Sequence, residues 1–173
     1  MDPVLRPLRE SDEAEVAEAQ RLMALEGFIF VFDYQPGDDF PELVRAAEAQ
    51  QTATDLPEGR VRATFLVAEV EGRIAGRLSV RHALTDFLRE QGGHIGYGVL
   101  PAYRGRGVAT AMLRHGLQLV SDLGIRRALV TCDDDNAASR RIIEKCGGQY
   151  ESSFEPPDGS TPKRRYRIDT GPG

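Results

Sequence analysis

Cysteine is scarce in this chain: Cys132 and Cys146 are the only two, fourteen positions apart. That is neither a disulfide framework nor a paired metal motif, so both are read as reduced, small buried hydrophobes. Histidine is nearly as sparse. His82, His94 and His115 form no HExxH or other short ligand spacing, and no metal is expected. No apolar run approaches the ~18–20 residues of a membrane span, which excludes a spanning segment. The start, MDPVLRPLRESDE, lacks the basic flank and apolar stretch of a signal peptide, so the cytoplasm is the expected compartment. Positive charge is also in deficit. The chain holds 22 Lys+Arg against 27 Asp+Glu, a net charge of −5 that disfavours nucleic acid as a partner.

What is present is ordinary for a globular protein. The 173 residues are 40% hydrophobic and 28% charged, enough for one domain with a real core. A single domain is expected over residues 1–170, with 171–173 a frayed tail. The charge is uneven. Residues 1–50 carry twelve acids against four arginines, whereas basic residues gather at 104–106, 126–127, 140–141 and 163–167. Those clusters suit either solvated surface or a small polyanionic ligand.

Periodicity predicts the elements. Residues 4–8 read as a short strand. A helix follows to about Leu25, with Asp12 and Glu15 at capping-box spacing and Gly27 ending it. A second helix is expected at 41–52. The period then changes: 63–70 and 73–81 are strands joined at Glu71-Gly72, a hairpin signal. A short helix is expected over 82–91 and a strand over 94–100, halted by Pro101. Residues 108–123 are the strongest helix, with Val108, Ala109, Met112, Leu113, Leu117, Val120 and Leu123 in one stripe. A strand at 125–132, a helix at 136–145 and strands at 149–154 and 164–168 complete the order. This predicts an α/β fold: a mixed, mostly antiparallel sheet with a central βαβ crossover and helices on both faces.

The chemistry concentrates in GYGVLPAYRGRGVAT, residues 96–110. A strand ends, a Gly/Arg loop follows, and a long helix begins. The first N–H groups of a helix have no intrahelical partner and sit at the positive end of its dipole. Gly105 and Gly107 put no side chain in a ligand's way, so this is a phosphate-binding helix start. Neither GxGxxG nor GxxxxGK[ST] fits. The spacing present is Arg104-x-x-Gly107-x-Ala109 after a strand ending V-x-P. This resembles the acetyl-CoA signature of the GNAT superfamily of N-acetyltransferases, Q/R-x-x-G-x-G/A. A second block, Asn136-x-x-Ser139 leading to Glu144-Lys145-x-Gly147, resembles the family's N-x-x-S…E-K-x-G, one strand and one helix later. SVRH, GGHIGYGV, VTCDDDN and RRY also look like a little-characterised branch of predicted acetyltransferases.

The resemblance implies acetyl-CoA as co-substrate and direct acyl transfer to a small-molecule or peptide amine, in a family where homodimers are common. The N–H groups across Arg106, Gly107, Val108, Ala109 and Thr110, with Arg104 and Gly105 beside them, would hold the coenzyme's pyrophosphate. Val99 and Leu100 would pair with the pantetheine arm through main chain. Asn136 would reach that arm or neighbouring backbone, with Ser139 close by. Arg140 and Arg141 either meet the ribose phosphate or are solvated helix charge.

One position departs from the family. The tyrosine that serves many members as acid toward the thiolate, seven residues after the Asn, is Ile143 here. Tyr166 is the expected substitute, with Tyr150 and Tyr97 as alternatives. For the base, His94 titrates near neutrality and His82 is its rival. Asp134, in the run Asp133-Asp134-Asp135, either receives a cationic amine or caps a turn. Two other functions stay open: an acyl-CoA sensor without turnover, and a module for another phosphate ligand.

Overall fold

The computed structural model describes residues 2–171. Of the expected frayed tail, Pro172 and Gly173 lie outside the described residues. Seven strands form one sheet in the order β1-β2-β3-β4-β5-β7-β6: β1 Val4–Arg6, β2 Ala63–Val70, β3 Arg73–Arg81, β4 Ile95–Val99, β5 Arg127–Asp133, β6 Gln149–Phe154 and β7 Lys163–Asp169. Every neighbouring pair is antiparallel except β4 with β5. That parallel pair is the expected crossover, carried by α3, Val108–Asp122. The sheet is therefore mixed and mostly antiparallel, as the sequence pattern predicts.

The helices cover both faces. Helices α1, Glu13–Ala24, and α2, Phe40–Ala49, pack Val16, Ala19, Met23 and Phe40 with Phe30, Tyr34, Val67 and Ile74. On the other face α3 buries Val108, Met112, Leu113 and Val120 against Leu78, Val80, Ile95 and Val130. Gly116 lets α3 lie close on the sheet, since a Cβ there would stand 3.1 Å from an Ile95 methyl. Helix α4, Ala137–Lys145, adds the fully buried Ile143 to the same core. No helix among the described residues is long and apolar enough to cross a membrane.

Two local expectations are corrected. Asp12 and Glu15 do not form a capping box. The Asp12 carboxylate accepts from the Arg6 guanidinium at 2.7 and 2.9 Å and from the Arg9 N–H at 2.9 Å. Glu15 instead accepts from the Ile74 N–H on β3 at 2.8 Å. A buried arginine needs a counter-ion more than an exposed helix end needs a cap, and Arg6 is 9% exposed. Burial pushes the Asp12 carboxyl up, but the hydrogen bonds from Arg6 and the Arg9 N–H, with the charges of both arginines, together outweigh it and hold the acid below its usual range. The second correction is the helix over 82–91. It starts later than expected: helical backbone begins at Asp86 and widens into a π-helix over Leu88–Gly92. His82 instead donates its N–H to the Arg62 carbonyl, extending the strand pairing past β3.

Candidate functional site

The site begins at the start of α3. Gly107 is its N-cap with φ +86°, a conformation that glycine adopts without strain. The first α-helical bond of α3 runs from Ala111 N–H to the Gly107 carbonyl. The N–H groups of Val108, Ala109 and Thr110 precede it and have no intrahelical acceptor. A Cβ built on Gly105 or Gly107 would meet nothing within 4 Å, so the approach to these donors is open. Arg104 stands beside the loop, donating from Nε to the Val99 carbonyl at 3.0 Å and pairing with Glu26, in the turn after α1, at 2.6 Å.

The second component is a gap in the sheet. Strands β4 and β5 share the pair Ile95↔Val130, with His94 N–H bonding the Leu129 carbonyl just before it, and separate beyond. On its other edge β4 stays paired with β3 as far as Gly76↔Val99. Hydrogen-bonding direction alternates along an antiparallel strand. Leu100 donates its N–H to Ala75 on β3 and accepts Tyr103 N–H at its carbonyl. Its main chain is already engaged, which corrects the pantetheine role expected for it. Tyr97 and Val99 direct their main-chain groups to the open side, although the Val99 carbonyl is held by Arg104.

Helix α4 closes the far wall. Asn136 caps it, its Oδ1 accepting from the Ser139 N–H at 3.0 Å. This carboxamide oxygen is spent on the helix rather than aimed outward. Ser139 Oγ in turn lies 2.8 Å from the Tyr97 hydroxyl. Burial pushes the Tyr97 phenol up to about 12, opposed by the Ser139 hydrogen bond. These parts enclose a cavity of about 630 Å³ lined by Tyr97, Val99, Arg104, Gly105, Gly107, Val108, Ala109, Thr110, Asn136 and Ser139. Arg141 and Lys145, one turn apart on α4, also line it, whereas Arg140 turns its guanidinium to the Asp134 carbonyl. Phe28 from the loop after α1 forms the opposite lip. A second cavity, of about 560 Å³, lies under α2, between β2, β3 and the loop carrying Phe32, Asp33 and Tyr34.

The expected catalytic side chains are not gathered there. His94 is 6% exposed, and its Nδ1 accepts from the Leu129 N–H at 2.9 Å. The neutral ring therefore carries its proton on Nε2 and offers a donor rather than a base. Burial, then the charges of Arg167 and Arg89, pull it down to about 4. Tyr166 is fully buried, its hydroxyl donating to Glu144 at 3.2 Å. His82 faces the Thr64 hydroxyl at 2.8 Å, and Asp134 pairs with Arg164. None of these four lines either cavity. Sequence reasoning left Tyr97 among the alternatives and passed over Arg77 and Arg81. The signal for the arginines was present: in a strand as apolar as Ile74–Val80, alternation puts Arg77, Ser79 and Arg81 on one face. Among the described residues no group of three or more His, Cys, Asp or Glu is arranged to hold a metal ion.

Solved structures share this architecture. RimJ of Mycobacterium smegmatis in complex with CoA-disulfide superposes with a TM-score of 0.70 at 22% identity, over 95% of this chain and 80% of that one. An acetyltransferase of the GNAT family from Streptococcus pneumoniae gives 0.69 at 17% identity, over 98% and 100%. The microcin C7 self-immunity acetyltransferase MccE, in complex with acetyl-CoA and AMP, gives 0.69 at 19% identity, over 97% and 92%. Among curated proteins no sequence match is found. The family model for the acetyltransferase (GNAT) family matches residues 22–148, the span from α1 through the α3 start to the end of α4, and this chain belongs to that family.

Proposed function

We propose that the chain transfers an acetyl group from acetyl-CoA to a primary amine by direct attack. The observation that carries this reading is the alignment of three features along one cavity. Open helix N–H groups at Val108, Ala109 and Thr110 suit a diphosphate. The outward main chain of Tyr97 and Val99 suits an amide-bearing arm laid beside the sheet. A protonated hydroxyl, that of Tyr97, lies between them and α4. Arg141 and Lys145 at the cavity wall suit a further phosphate. The residues present thus fit coenzyme A, with Asn136 shaping the wall as a helix cap.

Acetyl-CoA supplies an activated thioester carbonyl. The chain's contribution is to hold that carbonyl beside the acceptor and to supply a proton. Attack by the acceptor nitrogen forms a C–N bond and breaks the C–S bond. Tyr97 Oη gives the departing sulfur its proton and regains one, through solvent, from the amine. Tyr97 thereby takes the part of the tyrosine absent at Ile143. His94, a neutral Nε2–H donor, is not assigned as base. Cys132 forms no acyl-enzyme. Burial, then the charge of Asp133, pushes its thiol up to about 11, so the nucleophilic thiolate is scarce.

The test is thiol release from acetyl-CoA in the presence of an amine panel, with CoA binding measured calorimetrically alongside. Amine-dependent release supports the reading. CoA binding without turnover of any amine contradicts it.

A further inference from the structure

Two arginines, Arg77 buried and Arg81 half-buried, lie on the α1/α2 face of the sheet, and among the described residues neither has a carboxylate to neutralise it. Arg77 and Arg81 project from β3 with Ser79 between them, on the face opposite Leu78 and Val80. On β4, Gly98 faces Arg77, Gly96 faces Ser79, and the His94 carbonyl accepts from the Arg81 N–H. With no side chain at Gly96, both guanidinium groups settle over it, while Phe28 lies over Gly98. A Cβ on Gly96 would stand 2.9 Å from Arg81 Nη1 and 3.5 Å from Arg77 Nη1. Arg77 is 3% exposed. Among the described residues neither arginine has an acidic oxygen within 4.0 Å, whereas the buried Arg6 has two acids.

What does hold them is weaker. Arg77 donates to the Ile29 carbonyl at 3.1 Å and to the Gly96 carbonyl at 3.5 Å, and its buried Nε meets no acceptor. Arg81 donates to the Gly92 carbonyl at 3.2 Å. The rings of Phe28 and Phe32 cover Arg77 with centroids at 4.6 and 5.5 Å. Burial, then the like charge of Arg81, pulls Arg77 down to about 9. Bringing two cations together under aromatic rings is unfavourable unless an anion completes the site.

The location says whose anion. Phe28 lines the coenzyme cavity, while Phe32, Ser79 and Arg81 line the second one. Arg81 thus opens into the second cavity, while Arg77, which lines neither, lies behind Phe28 and Phe32 between the two. Asp33, Asp38, Asp39 and Glu42 also line the second cavity, and Arg60, paired with Asp33, neutralises only one of them there. That acidic rim disfavours a dianion and admits a singly charged group that also carries an ammonium. We propose that Arg77 and Arg81 bind the carboxylate of the acceptor, which makes the acceptor a small amino acid-like amine. This rests on the acyl-transfer reading and narrows it.

The test begins with the wild-type protein and acetyl-CoA. The twenty standard amino acids, their amides and the matching decarboxylated amines are assayed by thiol release, with aminomethylphosphonate set against glycine. Free amino acids are expected to turn over, with kcat/KM at least about 30-fold above their amides and decarboxylated amines. Amides or amines used as well as the acids overturn the inference while leaving acyl transfer standing. So does a preference for the phosphonate over glycine. No turnover of any amine, with CoA still bound, removes both readings together. Arg81→Gln is expected to erase the preference for the acid and Arg81→Lys to keep part of it, each with CoA affinity unchanged. A folded Arg81→Gln enzyme that still prefers the acid overturns the assignment.

Discussion

The hydroxyls of Tyr97 and Ser139 stand 2.8 Å apart, joining β4 to the first turn of α4 across the gap in the sheet. Either can donate in this pair. When Ser139 donates, Tyr97 keeps its proton for a third group. Burial holds that proton to about 12, so Tyr97 is an acid at every pH where the fold is used. Tyr97→Phe is therefore expected to lower kcat by about 100-fold, with the KM for acetyl-CoA little changed. Steady-state kinetics with a fixed amine checks this, and a Phe variant of full kcat removes Tyr97 from the proton's path.

A thiol is present near the site but is not its nucleophile. Cys132 is 8% exposed. Cys132→Ala is expected to keep turnover within a few-fold of wild type, and intact mass after mixing with acetyl-CoA should show no added acetyl group. An acetylated Cys132 would replace direct attack by a two-step path.

His94 ties stability to pH. In the unfolded chain it titrates near 6.5, whereas in the fold burial lowers it to about 4. Between those values the unfolded state binds the extra proton, so stability is full above pH 6.5 and falls as pH drops toward 4. The slope from this one residue is at most about 1.4 kcal/mol per pH unit. Denaturant midpoints across that window should fall less steeply for His94→Gln than for wild type.

The helix start admits no acidic side chain. Gly107→Glu forces a side chain into φ +86°, which costs roughly 1–2 kcal/mol. It also places negative charge where a diphosphate is held. A folded variant, checked by circular dichroism, is expected to bind CoA at least about tenfold more weakly. Unchanged affinity in calorimetry would refute the phosphate role of this turn.

Much of this architecture was legible because it rests on local rules. The stripe from Val108 to Val120 predicts α3, Glu71-Gly72 predicts the β2–β3 hairpin, and Asn136 opens α4 as expected. The glycines at 105 and 107 marked the helix start on the page. The partnerships that need the chain to return on itself were not legible. Tyr97 and Ser139 are 42 positions apart, and nothing local pairs them. His94 looked like a base because imidazole titrates near neutrality, yet the Leu129 N–H occupies its only acceptor. Asp12 looked like a cap because Arg6 had no visible place. Arg77 and Arg81 went unread because nothing local brings both guanidinium groups over Gly96 on the neighbouring strand.

The central claim is that the first N–H groups of α3 hold the diphosphate of coenzyme A. An amide-resolved NMR titration of the ¹⁵N-labelled protein with CoA reads those groups one by one. The account predicts saturable shifts concentrated at Gly107, Val108, Ala109 and Thr110, with smaller ones at Val99 and Ser139. Saturable CoA binding that leaves those four amides unmoved would contradict it.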